Sequence, residues 1–483
     1  MRSDREMAMR ELSRFYINGQ WVDPVAPVAP LDIVSPATET VIGHLAMGRP
    51  EDVDRAVAAA RAAFDDYASS SKEARVALLE RVIEGYKARL EDMAQAISVE
   101  MGAPIAFARA YQAPAGLLHL ETITQCLREF PFEARLNLST VCRESVGVCG
   151  LITPWNWPVN QIVCKVVPAL AAGCSMVLKP SEMSPLSSQL FSEIIHDAGI
   201  PAGVYNMVTG EGPVVGERLC THPDVDMISF TGSTRAGKQV ARLAAETVKR
   251  VTQELGGKSA NILLDDADLG AAVPLGVMLC FMNTGQTCTA PTRMLVPRAL
   301  QQAVVDIAVA VAATVVVGDP RVEGTMVGPL ANAAQFAKVQ RLIAAGVEEG
   351  ATLACGGVGR PAGVDRGYYV KPTIFSNVVP DMLIAREEIF GPVLSIIPYD
   401  SEDEAIRIAN GSSYGLAGYV QTADPARARR VAGKIRAGTI MINGAAPDPC
   451  APMGGYKQSG NGREWGRYSI EEYLEVKSLM GWH

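Results

Sequence analysis

Two short stretches hold the residues best suited to covalent chemistry. Gln253-Glu254-Leu255-Gly256-Gly257-Lys258-Ser259 places a carboxylate beside a glycine pair, where backbone can approach a ligand closely. Thirty-four residues beyond Glu254, Phe281-Met282-Asn283-Thr284-Gly285-Gln286-Thr287-Cys288-Thr289-Ala290 sets a cysteine among small and polar neighbours. A sulfur that attacks and a carboxylate that later activates water are the two groups a thioester-forming enzyme needs. A third stretch, Thr153-Pro154-Trp155-Asn156-Trp157-Pro158, is a rigid turn built from two tryptophans and two prolines. It would hold Asn156 tightly. An amide N–H aimed at an oxyanion is worth roughly 2.7–4 kcal/mol in such sites, and a structural Asn that satisfies its own turn is the alternative reading.

Nucleotide-binding signals are present in an unusual form. Neither a G-x-G-x-x-G after the early strands nor a Walker sequence occurs. Instead, Phe230-Thr231-Gly232-Ser233-Thr234-Arg235-Ala236-Gly237 joins a strand to a helix. Free N–H groups at such a helix start suit a phosphate, although Ser233 or Thr234 could simply cap the helix. Lys179-Pro180-Ser181-Glu182 leaves another strand. There a lysine and an acid could hydrogen-bond the hydroxyls of an adenosine ribose, and the acid would repel a 2′-phosphate, favouring NAD over NADP. A solvated turn is the plainer reading.

These residues need elements to position them. The alternation from about Gly147 predicts strands over 146–152, 175–179, 205–208 and 226–230, with helices over 159–172, 185–198, 214–220 and 235–246. A second set follows from Asn261 to about Asn443, with strands near 260–264, 293–296, 394–399, 418–421 and 438–442. The expected fold class is α/β, with two doubly wound parallel-sheet domains. Ligands bind such sheets beyond the carboxyl ends of their strands. The expected domains are 12–127 with 147–255 for dinucleotide binding and 256–445 for catalysis. The polar, strand-like 128–146 and the tail 467–483 are expected to form a small protruding β element for oligomerisation. Asn18-Gly19 predicts a hairpin over 15–21, helical periodicity covers 50–67 and 72–99, and the first eleven residues are expected to be a loose tail.

Composition narrows the function classes. At 483 residues, 48% hydrophobic and 20% charged, the chain is that of a globular protein with roughly two to four domains. A net charge of −8 argues against nucleic acid as a partner. The densest basic cluster, Arg427-Ala428-Arg429-Arg430, is expected on a solvated helix face. Apolar runs such as 307–317 fall short of the ~20 residues of a membrane helix. No secretory signal precedes Glu11, so a cytoplasmic protein without membrane contact is expected. The ten cysteines form no C-x-x-C pair, which argues against zinc or a disulfide framework, and no metal is expected. No histidine falls in the stretches above, which disfavours a Cys–His hydrolase.

Taken together, the motifs resemble those of the aldehyde dehydrogenase superfamily, from about Phe15 to Leu479. The resemblance rests on T-P-W-N-W-P at 153–158, L-K-P-S-E at 178–182, F-T-G-S-T-R-A-G at 230–237 and E-L-G-G-K at 254–258. It continues with G-Q-T-C at 285–288, E-E-I-F-G-P-V at 387–393 and G-G-Y-K-Q-S-G-N-G-R-E at 454–464. It implies Cys288 as nucleophile, Asn156 and the Cys288 backbone N–H as oxyanion donors, and Glu254 as the base that activates water on the thioester. Lys165 and Glu464 match an auxiliary proton relay, though a helix lysine and a surface acid fit equally well. For the cofactor it implies Lys179 and Glu182 at the adenosine ribose, Gly232 and Ser233 at the pyrophosphate, and Gly212 on the adenine side. Glu388 and Phe390 would position the nicotinamide ribose and the Leu255 carbonyl the carboxamide, with Thr153, Trp155 and Gly237 in the same cofactor-facing segments.

The resemblance also places Trp157, Gln161, Cys164, Met282, Thr287, Thr289 and Met453 around the substrate. This lining mixes one aromatic ring, soft sulfurs and hydroxyls. It lacks an arginine beside Cys288 for a carboxylate and an aromatic cluster for a trimethylammonium group. A medium-sized, uncharged or aromatic aldehyde is therefore expected, oxidised with NAD by a homodimer or homotetramer. Two alternatives stay open: transfer of the acyl group to coenzyme A, which the presence of Glu254 disfavours, and a catalytically silent binding protein.

Overall fold

The computed structural model describes residues 9–481, and in it the two βα runs become two separate sheets. In the first, β1 (Val148–Ile152), β2 (Ser175–Lys179), β3 (Tyr205–Met207), β4 (Met227–Thr231) and β5 (Arg250–Glu254) run parallel in the order β5-β4-β1-β2-β3. Strand β1 therefore has β2 on one side and β4 on the other, the point at which a doubly wound sheet opens a ligand crevice. Met176 and Leu178 enter one core while Val177 enters a second on the opposite face. Burial on both sides explains why these strands are continuous apolar runs. The hairpin Phe15–Ile17 and Gln20–Val22 extends the sheet beyond β3, turning through Asn18 (φ 54°) and Gly19 (φ 76°).

The second sheet contains β6 (Ala260–Leu263), β7 (Arg293–Pro297), β8 (Thr373–Ser376), β9 (Val393–Tyr399), β10 (Ala417–Gln421) and β11 (Thr439–Ile442). Their parallel order is β8-β9-β7-β6-β10-β11, and Thr352–Cys355 pairs antiparallel with β8. The chain crosses from the first sheet to the second between β5 and β6, so the E-L-G-G-K stretch is the connection itself. A smaller antiparallel sheet joins Glu133–Leu136, Ser139–Ser145 and Leu474–Met480. Gly466–Glu472 is a helix packed on Ala113–Glu129 and on α1 (Pro158–Ala172).

Several local expectations are corrected. Part of the supposed N-terminal tail, Arg10–Leu12, is a strand paired with Gly43–Leu45, while residues 1–8 lie outside the described residues. The single helix expected over 72–99 is two, Lys72–Ala88 and Leu90–Met101, broken at Arg89. Arg89 leaves helical geometry (φ −111°, ψ 15°) and its guanidinium Nε donates to Asp92 at 2.6 Å, a break that no Gly or Pro announces. The basic cluster does lie on a solvated helix face, with Arg429 and Arg430 exposed and Arg427 half-buried among acids. Arg427 bonds Glu402 at 2.8 Å and Asp265 at 2.5 Å, and Arg430 bonds Glu402. No helix among the described residues is long and apolar enough to cross a membrane.

Candidate active site

The residues singled out from sequence gather where the parallel strands of the first sheet end. Thr153 to Trp157 follow β1, Lys179 closes β2, Gly212 lies beyond β3, Thr231 closes β4 with Gly232 and Ser233 after it, and Glu254 closes β5. The hydroxyls of Thr153 and Thr231 flank the β1–β4 crevice, both buried and without a partner among the described residues. Lys179 is buried rather than solvated, its Nζ donating to Glu182 at 3.1 Å and to the Pro180 carbonyl at 2.8 Å. A Cβ built at Gly212 would meet nothing within 4 Å, so this edge is open. Ser233 caps α2 (Thr234–Ala244), its Oγ accepting from the Ala236 N–H at 3.3 Å, and the Gly232 N–H donates to the Glu254 carbonyl at 3.0 Å. Gly237 lets α2 press onto Leu255, where a Cβ would lie 2.6 Å from that side chain. An open crevice, orphaned hydroxyls and a buried lysine bonded to a half-buried acid suit a dinucleotide with ribose hydroxyls and phosphates.

The glycine pair brings the two domains together. A Cβ at Gly256 would lie 2.7 Å from the Glu388 carboxylate, and the Gly257 N–H donates to Glu388 at 2.9 Å. A Cβ at Gly257 would lie 2.2 Å from the Cys288 carbonyl oxygen. Ser459 fastens the crossing, donating to the Gly256 carbonyl at 2.7 Å and accepting the Leu255 N–H at 2.9 Å. Phe390, at φ 62°, stacks edge-on against Trp155 with ring centres 5.5 Å apart. Glu388 and Phe390 thus reach the crevice from the second domain.

The turn ahead of the cysteine is strained. Asn283 (φ 54°), Thr284 (φ 58°) and Gly285 (φ 72°) are successive left-handed residues after α3 (Leu269–Phe281). Such backbone costs on the order of 1–2 kcal/mol per non-glycine residue, and only a surrounding network would hold it. Asn283 Nδ2 donates to the Asn156 carbonyl at 2.9 Å, Gln112 Nε2 donates to that carbonyl and to Asn283 Oδ1 at 3.0 Å each, and Gln286 Oε1 accepts the Ala331 N–H at 2.9 Å. Asn156 Nδ2 donates to the Gln286 carbonyl at 2.9 Å. That bond takes one amide hydrogen and leaves the other without a partner among the described residues.

Cys288 is half-buried, and burial pushes its thiol up, reinforced by the charges of Glu388 and Glu254. Glu254 is buried with neither carboxylate oxygen hydrogen-bonded. Burial raises its carboxyl well above the usual range, Glu464 adds to the rise, and Lys165 and Arg463 oppose it. Lys165, fully enclosed, donates to Glu464 at 2.5 Å and to Ser229 Oγ at 3.2 Å. Lys165 and Glu464 are thus a buried pair acting on Glu254, not isolated surface groups.

On the substrate side, Trp157 Nε1 donates to Thr287 Oγ1 at 3.1 Å, joining the tryptophan turn to the residue before Cys288. Phe107 meets Trp157 edge-on at 5.6 Å and stacks with Tyr111 at 5.2 Å. Thr289 accepts the Tyr419 hydroxyl through its carbonyl at 2.9 Å. Met453 pairs with Glu464 through two backbone hydrogen bonds of 2.7 and 2.9 Å. Cys164 and Gln161 are buried on α1, and Met282 is half-buried at the end of α3. Sequence reasoning missed Gln112, Ser229, Arg463 and Ser459. Ser459 and Arg463 both lay inside the quoted G-G-Y-K-Q-S-G-N-G-R-E stretch without a role of their own, while Gln112 and Ser229 lay in no quoted motif.

Comparison with known proteins gives the family and the fold. The family model described as "Aldehyde dehydrogenase family" matches residues 21–479. The 3-succinoylsemialdehyde-pyridine dehydrogenase of a Pseudomonas species is 55% identical over 98% of this chain and 99% of its own. The crystal structure of an aldehyde dehydrogenase C mutant from Pseudomonas syringae, complexed with NAD+ and octanal, superposes with a TM-score of 0.96 at 54% identity, covering 99% of this chain and 98% of that one. An aldehyde dehydrogenase from Mycobacterium tuberculosis complexed with NAD+ gives 0.95 at 40% identity, covering 99% and 100%.

Proposed function

The chain belongs to the aldehyde dehydrogenase family, and from that premise we propose that it oxidises a medium-sized, uncharged or aromatic aldehyde to the carboxylic acid with NAD, through a thioester on Cys288. The observation that carries the hydrolytic route is Glu254: a buried carboxylate with two free oxygens and a raised ionisation, in electrostatic reach of the cysteine. A carboxylate held this way is a stronger base than an exposed one and is suited to take a proton from water.

In this reading the Cys288 thiol gives up its proton to solvent as its sulfur adds to the aldehyde carbon, and the carbonyl π pair moves onto the oxygen to give a thiohemiacetal oxyanion. The free Asn156 N–H and the Cys288 backbone N–H hold the oxyanion. Bound in the crevice, the nicotinamide supplies the acceptor for the hydride that leaves this carbon. Glu254 then takes a proton from the water that attacks the thioester, releasing the acid and the sulfur. The Lys165–Glu464 pair passes that proton onward. Lys179 and Glu182 would hold the adenosine ribose, Gly232, Ser233 and Gly237 the pyrophosphate segment, and Gly212 the adenine side. Glu388, Phe390 and the Leu255 carbonyl would hold the nicotinamide half beside Thr153 and Trp155. Glu182 favours NAD over NADP by charge repulsion.

The octanal complex and the pyridine-bearing semialdehyde in the names of the two Pseudomonas relatives support an uncharged substrate of this size. The small antiparallel sheet, with Leu138 and Met480 exposed on it, is the proposed subunit contact of a homodimer or homotetramer. Incubating the protein with NAD and short, long, aromatic and carboxylate-bearing aldehydes, while following NADH absorbance, tests the reading. Turnover of the uncharged members supports it, and NAD binding without turnover of any aldehyde would leave a silent binding protein.

A further inference from the structure

Helix α1 carries three functional positions on one face. Trp157, at its N-cap, reaches Thr287 beside Cys288, and Lys165, eight residues on, reaches Glu464 beside Glu254. Gln161 lies midway, its N–H bonded to the Trp157 carbonyl at 2.9 Å, so its side chain projects from the same face. That face spans the gap between the nucleophile and the base.

Gln161 is 8% exposed, and its Oε1 is buried without a partner. Its Nε2 makes no hydrogen bond to a described residue either, so nothing fixes the amide and it can turn either end into the gap. Val159, Ile162 and Val163 on the same helix are apolar and fully packed, and the neighbouring Asn160 amide oxygen is taken by Cys164 at 3.2 Å rather than by Gln161. A buried amide left unpaired among them is unfavourable unless a ligand completes it.

We propose that Gln161 is a specificity-determining residue whose amide N–H hydrogen-bonds a second oxygen of the substrate, a carbonyl or hydroxyl a few bonds from the aldehyde carbon. The preferred substrate is then an oxygen-substituted aldehyde rather than a plain hydrocarbon one. A pocket with a buried polar group discriminates strongly against an analogue that leaves the group unpaired, whereas an extra methylene alters selectivity little. The aromatic wall of Trp157 and Phe107 accommodates the rest of the molecule. The inference rests on the proposed aldehyde oxidation and narrows its substrate.

The test is a matched pair, 4-oxo-4-phenylbutanal and 4-phenylbutanal, compared by kcat/KM in the wild-type protein and in Gln161→Leu and Gln161→Glu. The wild type should prefer the oxo compound on the order of tenfold or more. Gln161→Leu should abolish or reverse that preference, lowering kcat/KM for the oxo compound far more than for 4-phenylbutanal. Gln161→Glu, which cannot donate when ionised, should lose the oxo compound selectively. Equal wild-type rates on the pair would overturn the inference while leaving aldehyde oxidation intact. A uniform loss on both compounds in Gln161→Leu would also overturn it, because it would assign the amide to the catalytic water instead. Oxidation of neither compound, nor of any other aldehyde, would instead sink the parent reading.

Discussion

Gly257, in the crossing between the two sheets, and Cys288 touch so closely that a single methyl group on the glycine would lie 2.2 Å from the cysteine carbonyl. The backbone of the E-L-G-G-K crossing therefore sets the position of the nucleophile. Gly257→Ala should push the two segments apart. A displacement of this kind commonly lowers kcat on the order of 10- to 100-fold, and overpacking costs about 1–3 kcal/mol of stability. Steady-state NADH formation and a thermal melt check both, and a variant with wild-type kcat would show that the contact is not needed.

Glu254 predicts a pH dependence of definite sign. Its carboxyl is raised, so it holds its proton through the ordinary carboxylate range and becomes a base only at higher pH. Deacylation should rise with pH, and Glu254→Gln should lose that limb. The same shift lowers stability as pH climbs from about 4.3 to the raised value, because there the folded state retains a proton that the unfolded chain releases. Chemical denaturation of wild type and Glu254→Gln across that interval should show the difference narrowing in the variant.

Lys165 and Glu464 act on Glu254 in opposite directions. Lys165→Met should move the alkaline-rising limb of turnover to higher pH, and Glu464→Gln should move it lower. Shifts in the same direction for both variants would contradict the electrostatic account, whatever their effect on rate.

Glu182 should decide the choice between dinucleotides. At contact distance a like-charge repulsion amounts to about 1 kcal/mol in water and more near a protein surface. Glu182→Ser should therefore improve NADP binding relative to NAD by about tenfold, read by equilibrium fluorescence titration. An unchanged ratio would place the discrimination elsewhere.

The alternation of strands and helices was legible because the parallel strands are buried on both faces, which makes them short apolar runs such as Ser175–Lys179. Chemistry concentrated in short motifs was legible too. Cys288, Asn156 and Glu254 each stand in a stretch whose glycines, prolines or small residues announce an unusual backbone. The break at Arg89 was not legible, since side-chain bonding rather than Gly or Pro produces it. Nor were Gln112 and Ser229, whose bonds reach residues far away in sequence: Gln112 to Asn156 and Asn283, 44 and 171 residues distant, and Ser229 to Lys165, 64 residues distant. Ser233 shows a limit of the motif itself: the hydroxyl offered to a phosphate also caps the helix it begins.

The central claim is that an acyl group passes through Cys288 and is released by Glu254. Glu254→Gln should be mixed with NAD and an uncharged aldehyde, quenched in acid after the NADH burst, and digested for mass spectrometry. The account predicts a burst near one NADH per active site, slow turnover afterwards, and an acyl adduct on the peptide that contains Cys288. A full burst with no adduct, or an adduct on any other residue, would contradict it.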